Sequence, residues 1–182
     1  MFIGVVSVIK YDYTEDELNK LDPQTRLSVS IKIIKNSKSS ITQRADGLII
    51  ICELYHKLSD KQYDFSKSTT DKMKKQITNT IRWMMYNEKN CVVHHELFYQ
   101  IAARNMTNLI KDMASCAKNS KSIVSRHEAI ENIGMMMAWD HLDIIRDALN
   151  DSNQDIRQTA EWVMDRYSRY KNNSKWSALE IV

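Results

Sequence analysis

Four stretches of this chain lie over one another: RADGLIII from Arg44, HHELFYQI from His94, RHEAIENI from Arg126 and RQTAEWVM from Arg157. Their starts are 50, 32 and 31 residues apart, and the long first step contains a polar insertion at about 59–69. A period of this size, carried by helix–turn–helix units, constrains the fold strongly. Each hairpin leaves an apolar face that only a neighbouring hairpin covers, so the units must stack into an α-solenoid. Three Gly and one Pro in 182 residues agree with that. Sandwiches and barrels need more turn punctuation, whereas helices joined by short polar turns do not.

The local signals place the helices. Thr14 with Glu17 forms a capping box, and Asp22-Pro23 gives an N-cap followed by proline in the first turn. Leu27, Ile31 and Ile34 recur at helical spacing, as do Leu48, Cys52 and Tyr55 after the NSKSS turn. Thr70-Asp71 offers a cap for a helix carrying Met73, Ile77 and Ile81, and Asn105 ends the helix through HHELFYQIA. Further helices are expected over about 106–117, 123–138, 140–149 and 155–170. The expected fold class is therefore all-α, a solenoid of about four helix hairpins that resemble HEAT-like repeats. It forms a single domain over 1–182, with an N-terminal extension at 1–21, hairpins at 22–170 and a loosely held tail at 171–182.

Bulk properties narrow the partners. A net charge of +3, with basic residues interleaved among acids, argues against nucleic acid. Cys52, Cys91 and Cys116 are odd in number and lack C-x-x-C spacing, which predicts buried free thiols in a reducing, cytoplasmic setting. MFIGVVSVIKY is apolar but short, without the basic start of a signal peptide, so no membrane span is expected.

Two of the aligned stretches carry His-Glu pairs, His95-Glu96 and His127-Glu128, at equivalent positions in adjacent units. Stacking brings such positions to about one helix diameter, ~10 Å, so the imidazoles can converge between the helices. Two histidines and one carboxylate with open coordination positions form the set associated with non-haem iron. The competing reading is ordinary: solvated His and Glu side chains on a helix surface.

RHEAIENIG and HHELFYQIA resemble the His-Glu motifs of deoxyhypusine hydroxylase, an α-solenoid of HEAT-like repeats in two halves. The resemblance covers about 40–170 as architecture and 90–140 as sequence. It implies that His95, His127 and Glu128 are metal ligands, with Glu96 as the catalytic or substrate-facing residue beside them. It also implies iron as the cofactor, dioxygen as co-substrate, and hydroxylation as the reaction class. His94 stands where the family has Lys, which predicts a surface or supporting role, and His56 and His141 match no ligand position. This chain matches only one half of the family's chain, so a di-iron centre requires a C2 homodimer. The substrate does not carry over. The alternative function is a non-catalytic protein-binding scaffold or a phycobilin-lyase-like module. Trp83, Tyr99, Trp139 and Trp162 are then the candidate anchors, against a plainer role in helix packing.

Overall fold

A computed structural model describes residues 13–172, and every regular element among them is helical. In chain order these are α1 (Glu15–Asn19), α2 (Pro23–Lys35), α3 (Ile41–Ser59), α4 (Lys67–Asn87) and α5 (Cys91–Ala103). They continue with α6 (Ile110–Asn119), α7 (Ile123–Met135), α8 (Leu142–Ala148) and α9 (Gln154–Asn172). Short 3₁₀ turns at Thr107–Leu109 and Trp139–His141 lead into α6 and α8. The expectations for residues 1–12 and for the tail from 173 onward lie outside the described residues.

The helices form two rows. α3, α5, α7 and α9 pack side by side, and α2, α4, α6 and α8 each pack against the helix that follows. The second row is itself continuous, α2 on α4, α4 on α6 and α6 on α8. Aligned positions explain the first row: Leu48, Phe98 and Ile130 are all fully buried between neighbours. At the same register α9 carries Glu161, which is exposed, because α9 has a neighbour in this row on one side only among the described residues.

The caps follow the sequence signals with one correction. Thr14 and Glu17 form both halves of a capping box, and the Asp22 carboxylate accepts from the Gln24 and Thr25 amides. The long connection after α3 is shorter than expected, however. α4 starts at Lys67, capped by Ser66 on the Thr69 amide, rather than at Thr70-Asp71. Tyr63 and Phe65 stack on each other at 5.5 Å and pack against the core, which draws the chain in early.

One edge of the first row is tied by arginines. Arg44 donates Nη1 to the Ser39 carbonyl at 2.6 Å and its Nε to Glu88, at the start of the next unit's first-row helix, at 2.7 Å. Arg126 repeats the pattern, with Nε on the Ala117 carbonyl and Nη2 on Asp151 of the following turn. Arg157 donates to the Asp151 and Ser152 carbonyls. In the second unit His94 occupies the arginine's place, and of the surface or supporting role expected the surface alternative is corrected: it is 4% exposed. Its Nε2 must donate to the Met84 carbonyl (3.3 Å), so Nδ1 accepts from the Ser125 hydroxyl (2.9 Å). Burial pushes its pKa down, consistent with a neutral imidazole.

At the other edge α3, α5 and α7 end alike. Lys61, Asn105 and Met137 each follow the helix cap with φ of 55°, 47° and 54°. The next amide reaches back to close a Schellman motif: Gln62 to Lys57, Met106 to Ile101 and Ala138 to Ile133. Left-handed backbone favours Gly or Asn, and only Asn105 conforms. Replacing Met137 by Asn is expected to stabilise the protein by about 0.5 kcal/mol in denaturant unfolding.

Two glycines mark close helix approaches of different tightness. A Cβ on Gly134 would sit 2.8 Å from both γ-methyls of the buried Val163, where α7 meets α9. Gly134→Ala is expected to destabilise by about 1–2 kcal/mol, since overpacking of about 1–3 kcal/mol exceeds a helix-propensity gain of about 1 kcal/mol. At Gly47 the nearest atom is Ile34 Cγ1 at 3.2 Å, and Gly47→Ala is expected within about 0.5 kcal/mol of wild type. Comparing the two denaturation midpoints checks the pair.

Candidate metal centre

The N-terminal halves of α5, α7 and α9 place the predicted residues in one band. Asn90 caps α5 on the Val92 and Val93 amides, and Ser122 caps α7 on the Ser125 amide. Both caps fix the chain a few residues before His95 and His127. From α5, the His95 Nδ1 donates to Glu128 Oε1 on α7 at 2.9 Å. One unit on, the His127 Nδ1 meets Thr159 Oγ1 on α9 at 2.6 Å. The same contact therefore runs twice along the row, from an imidazole to the side chain of the equivalent residue in the next unit but one position on.

The two contacts differ in surroundings. The His95 side chain is 63% exposed, whereas Glu128 is 7% exposed. Glu128 Oε2 is buried and has no hydrogen-bond partner. His127 is half-buried, and its Nε2 lies 3.3 Å from Glu131 Oε2, one helical turn along α7. A hydrogen bond with Glu131 raises the His127 pKa against the opposing effect of burial. The same bond lowers the Glu131 pKa, and the nearby His127 and His95 charges add to that.

His127, Glu128 and Glu131 each offer a ligand atom within 4.8 Å of the others, so this His/Glu/Glu group could hold a metal ion. Two of the three expected ligands are in it. His95 is not: it touches the group through its bond to Glu128. Glu131 is the member that the sequence reading missed. The i, i+4 spacing from His127 was its only signal, and that spacing is shared by every helical ion pair.

Glu96 is half-buried on α5 and accepts from Gln100 Nε2 at 2.8 Å within its own helix. Beside His127 opens a groove of about 450 Å³ lined by His127, Glu131, Asp155, Gln158, Thr159 and Trp162. Trp162 forms an exposed wall with Arg166 stacked 5.9 Å over its ring. Of the other candidate anchors, Trp83 and Trp139 pack against the core while Tyr99 is exposed. His56 pairs with Asp60 at the surface, and His141 lies in the short turn before α8. Cys52 and Cys116 are buried, and burial pushes their thiols up to about 12 and about 11. Cys91 is exposed, contrary to expectation, because it is the first residue of α5.

Comparison of the chain with protein-family models, with curated proteins and with solved structures gives no match.

Proposed function

We propose that this protein is a non-haem iron hydroxylase or oxygenase, built as a stack of four HEAT-like hairpins similar to one half of deoxyhypusine hydroxylase. The observation that carries the reading is the Glu128 carboxylate. It is buried, held by His95 on one oxygen, adjacent to His127 and Glu131, and without a partner on the other oxygen. A buried unpaired acceptor costs about 1–3 kcal/mol, a cost that a bound cation removes.

The residues fit iron. An imidazole nitrogen with hard carboxylate oxygens and an open side suits ferrous ion, and the groove beside His127 supplies that open side. His127 and Glu128 hold the ion, with His95 alongside from α5; the resemblance gives Glu96 the catalytic or substrate-facing part, while in this chain its carboxylate is bonded to Gln100 and interacts with Cys52 of α3. When bound, iron supplies the electron chemistry that activates dioxygen. The chain's own residues do the rest. Glu128 and Glu131 neutralise the cation, and Trp162 lines one side of the groove where a substrate would lie. A C2 homodimer would bring two such centres together as a di-iron pair. The buried free thiols suit a cytoplasmic setting. Among the described residues no helix is long and apolar enough to cross a membrane.

The test is metal analysis with an absorption spectrum of protein purified in air. About one iron per chain with a charge-transfer band is expected. Protein that arrives without metal and takes up no ferrous iron overturns the reading.

A second reading has its own observation. Ile41, Val92, Ile123 and Val124 are exposed near the starts of α3, α5 and α7, an apolar edge suited to a protein partner. A metal-free stack with that edge is a binding scaffold or a phycobilin-lyase-like module. The same measurement separates the two.

A further inference from the structure

We propose that Glu131 is a metal ligand and that Thr159 is the positioning residue for His127. A divalent transition-metal ion is then held by His127 Nε2 and by the carboxylates of Glu128 and Glu131, all on α7. This rests on the reading of α7 as a metal centre, and it departs from the resemblance by replacing His95 with Glu131.

The Thr159 hydroxyl has only one proton to give. Thr159 Oγ1 donates to the Asp155 carbonyl on its own helix at 2.8 Å. At 2.6 Å from His127 Nδ1 it can therefore only accept, which places a His127 proton on Nδ1. In the metal-free protein Nε2 donates to Glu131 Oε2 at 3.3 Å, and an ion that displaces this proton meets an Nε2 lone pair beside the Glu131 carboxylate. A metal-binding imidazole is held in this way, with its other nitrogen donating to a fixed acceptor.

Helix geometry supplies the remaining oxygens. Residues i and i+4 share a face, so His127 and Glu131 project together from α7. Glu128, next in sequence to His127, brings its ligand atom within 4.8 Å of both. The independent sign that something belongs there is Glu128 Oε2, an unpartnered acceptor on a side chain 7% exposed. His95 has a different task. Its Nδ1 proton is committed to Glu128 Oε1, and the rest of the ring stands largely in solvent. It orients the carboxylate.

The test uses the full chain stripped of metal, titrated with Co(II) and followed by calorimetry and by the visible absorption of the bound ion. Wild type is expected to bind one Co(II) per chain. Glu131→Gln should weaken binding by about tenfold or more, and Thr159→Val by about 10- to 100-fold, with Thr159→Ser restoring it. His95→Ala should weaken binding by about tenfold while still taking up one Co(II) per chain, since it removes the bond that orients Glu128 but no ligand. Circular dichroism on each variant separates lost binding from lost folding. Wild-type affinity in a folded Glu131→Gln or Thr159→Val protein overturns the inference. Loss of Co(II) in His95→Ala with full binding in Glu131→Gln also overturns it, while leaving a metal centre shared between α5 and α7. A wild-type protein that takes up no Co(II) removes both this inference and the reading beneath it.

Discussion

Replacing His127 by alanine is expected to remove metal binding, with affinity for ferrous iron falling by roughly 100-fold or more. His127 is the one imidazole in the His/Glu/Glu group, and its loss leaves two carboxylates on a half-exposed helix face. Such a pair binds divalent ions weakly and without preference for transition metals. Protons compete for the same nitrogen. The His127 pKa is raised above the ordinary 6.5 by its hydrogen bond with Glu131. In the metal-free protein the stability from that pair is present below 6.5 and is lost as pH rises through the raised value. Metal binding runs in the opposite sense, because the ion needs Nε2 unprotonated. Affinity should therefore climb with pH through the raised value, with proton release from the histidine. A metal affinity in His127→Ala equal to that of wild type, measured by titration against a chromophoric chelator, would remove His127 from the site.

Replacing Glu88 by alanine is expected to cost about 3 kcal/mol of stability, read as a drop in Tm of about 6–12 °C. Glu88 is 7% exposed at the side chain and receives Arg44 Nε at 2.7 Å and Nη2 at 3.2 Å. It also accepts the Lys89 and Asn90 amides, both at 2.9 Å, at the entry to α5. Without it the Arg44 guanidinium, 16% exposed, keeps only the Ser39 carbonyl. Burial raises the Glu88 pKa, but the bonds from Arg44, Asn90 and Lys89 outweigh it and hold the group below its ordinary value of 4.5. A lowered folded pKa contributes stability above 4.5, which is lost as pH falls through the folded value. Acid unfolding of wild type should show that loss, and the variant should lack it. A Tm within about 2 °C of wild type would show that the pair is not bracing α3 against α5.

Much of the scaffold was legible because its signals are local. Asp22-Pro23, Thr14 with Glu17, and Asn105 after α5 each act through a few neighbouring atoms, and each stands where the sequence placed it. The start of α4 was not legible for an equally physical reason. SKSTTDK contains several residues able to cap, and the choice of Ser66 is associated with Tyr63 and Phe65 packing at a distance. In the site, aligned positions predicted that the His95 and His127 imidazoles would converge between adjacent helices, but not which partner each ring would take. Each ring turns along the row toward the next unit, toward Glu128 and Thr159, and those acceptors are known only once the helices are in contact. Of the two roles expected for His94, surface or supporting, the surface one fails because its ring fills the place of an arginine against Met84 and Ser125, partners that only the packed helices reveal.

The two edges of the first row differ in how freely the chain can vary there. The turns entering α3, α5, α7 and α9 are cross-tied by Arg44, Glu88, Arg126, Asp151 and Arg157, and they lie on the same side as the histidines. The connections leaving α3, α5 and α7 begin with a Schellman turn and, among the described residues, carry no arginine ties, only the Tyr55 hydroxyl on Asn108 and the Trp139 ring against Tyr167 and Tyr170. The longer exit from α3, which runs to the Ser66 cap of α4, already displays the difference. Extra sequence, such as a fluorescent reporter or a peptide tag, is therefore best spliced into the exit from α3 after Gln62, where Lys61, Gln62 and Asp64 are exposed, rather than at Asn105-Met106, where Met106 is buried in the core.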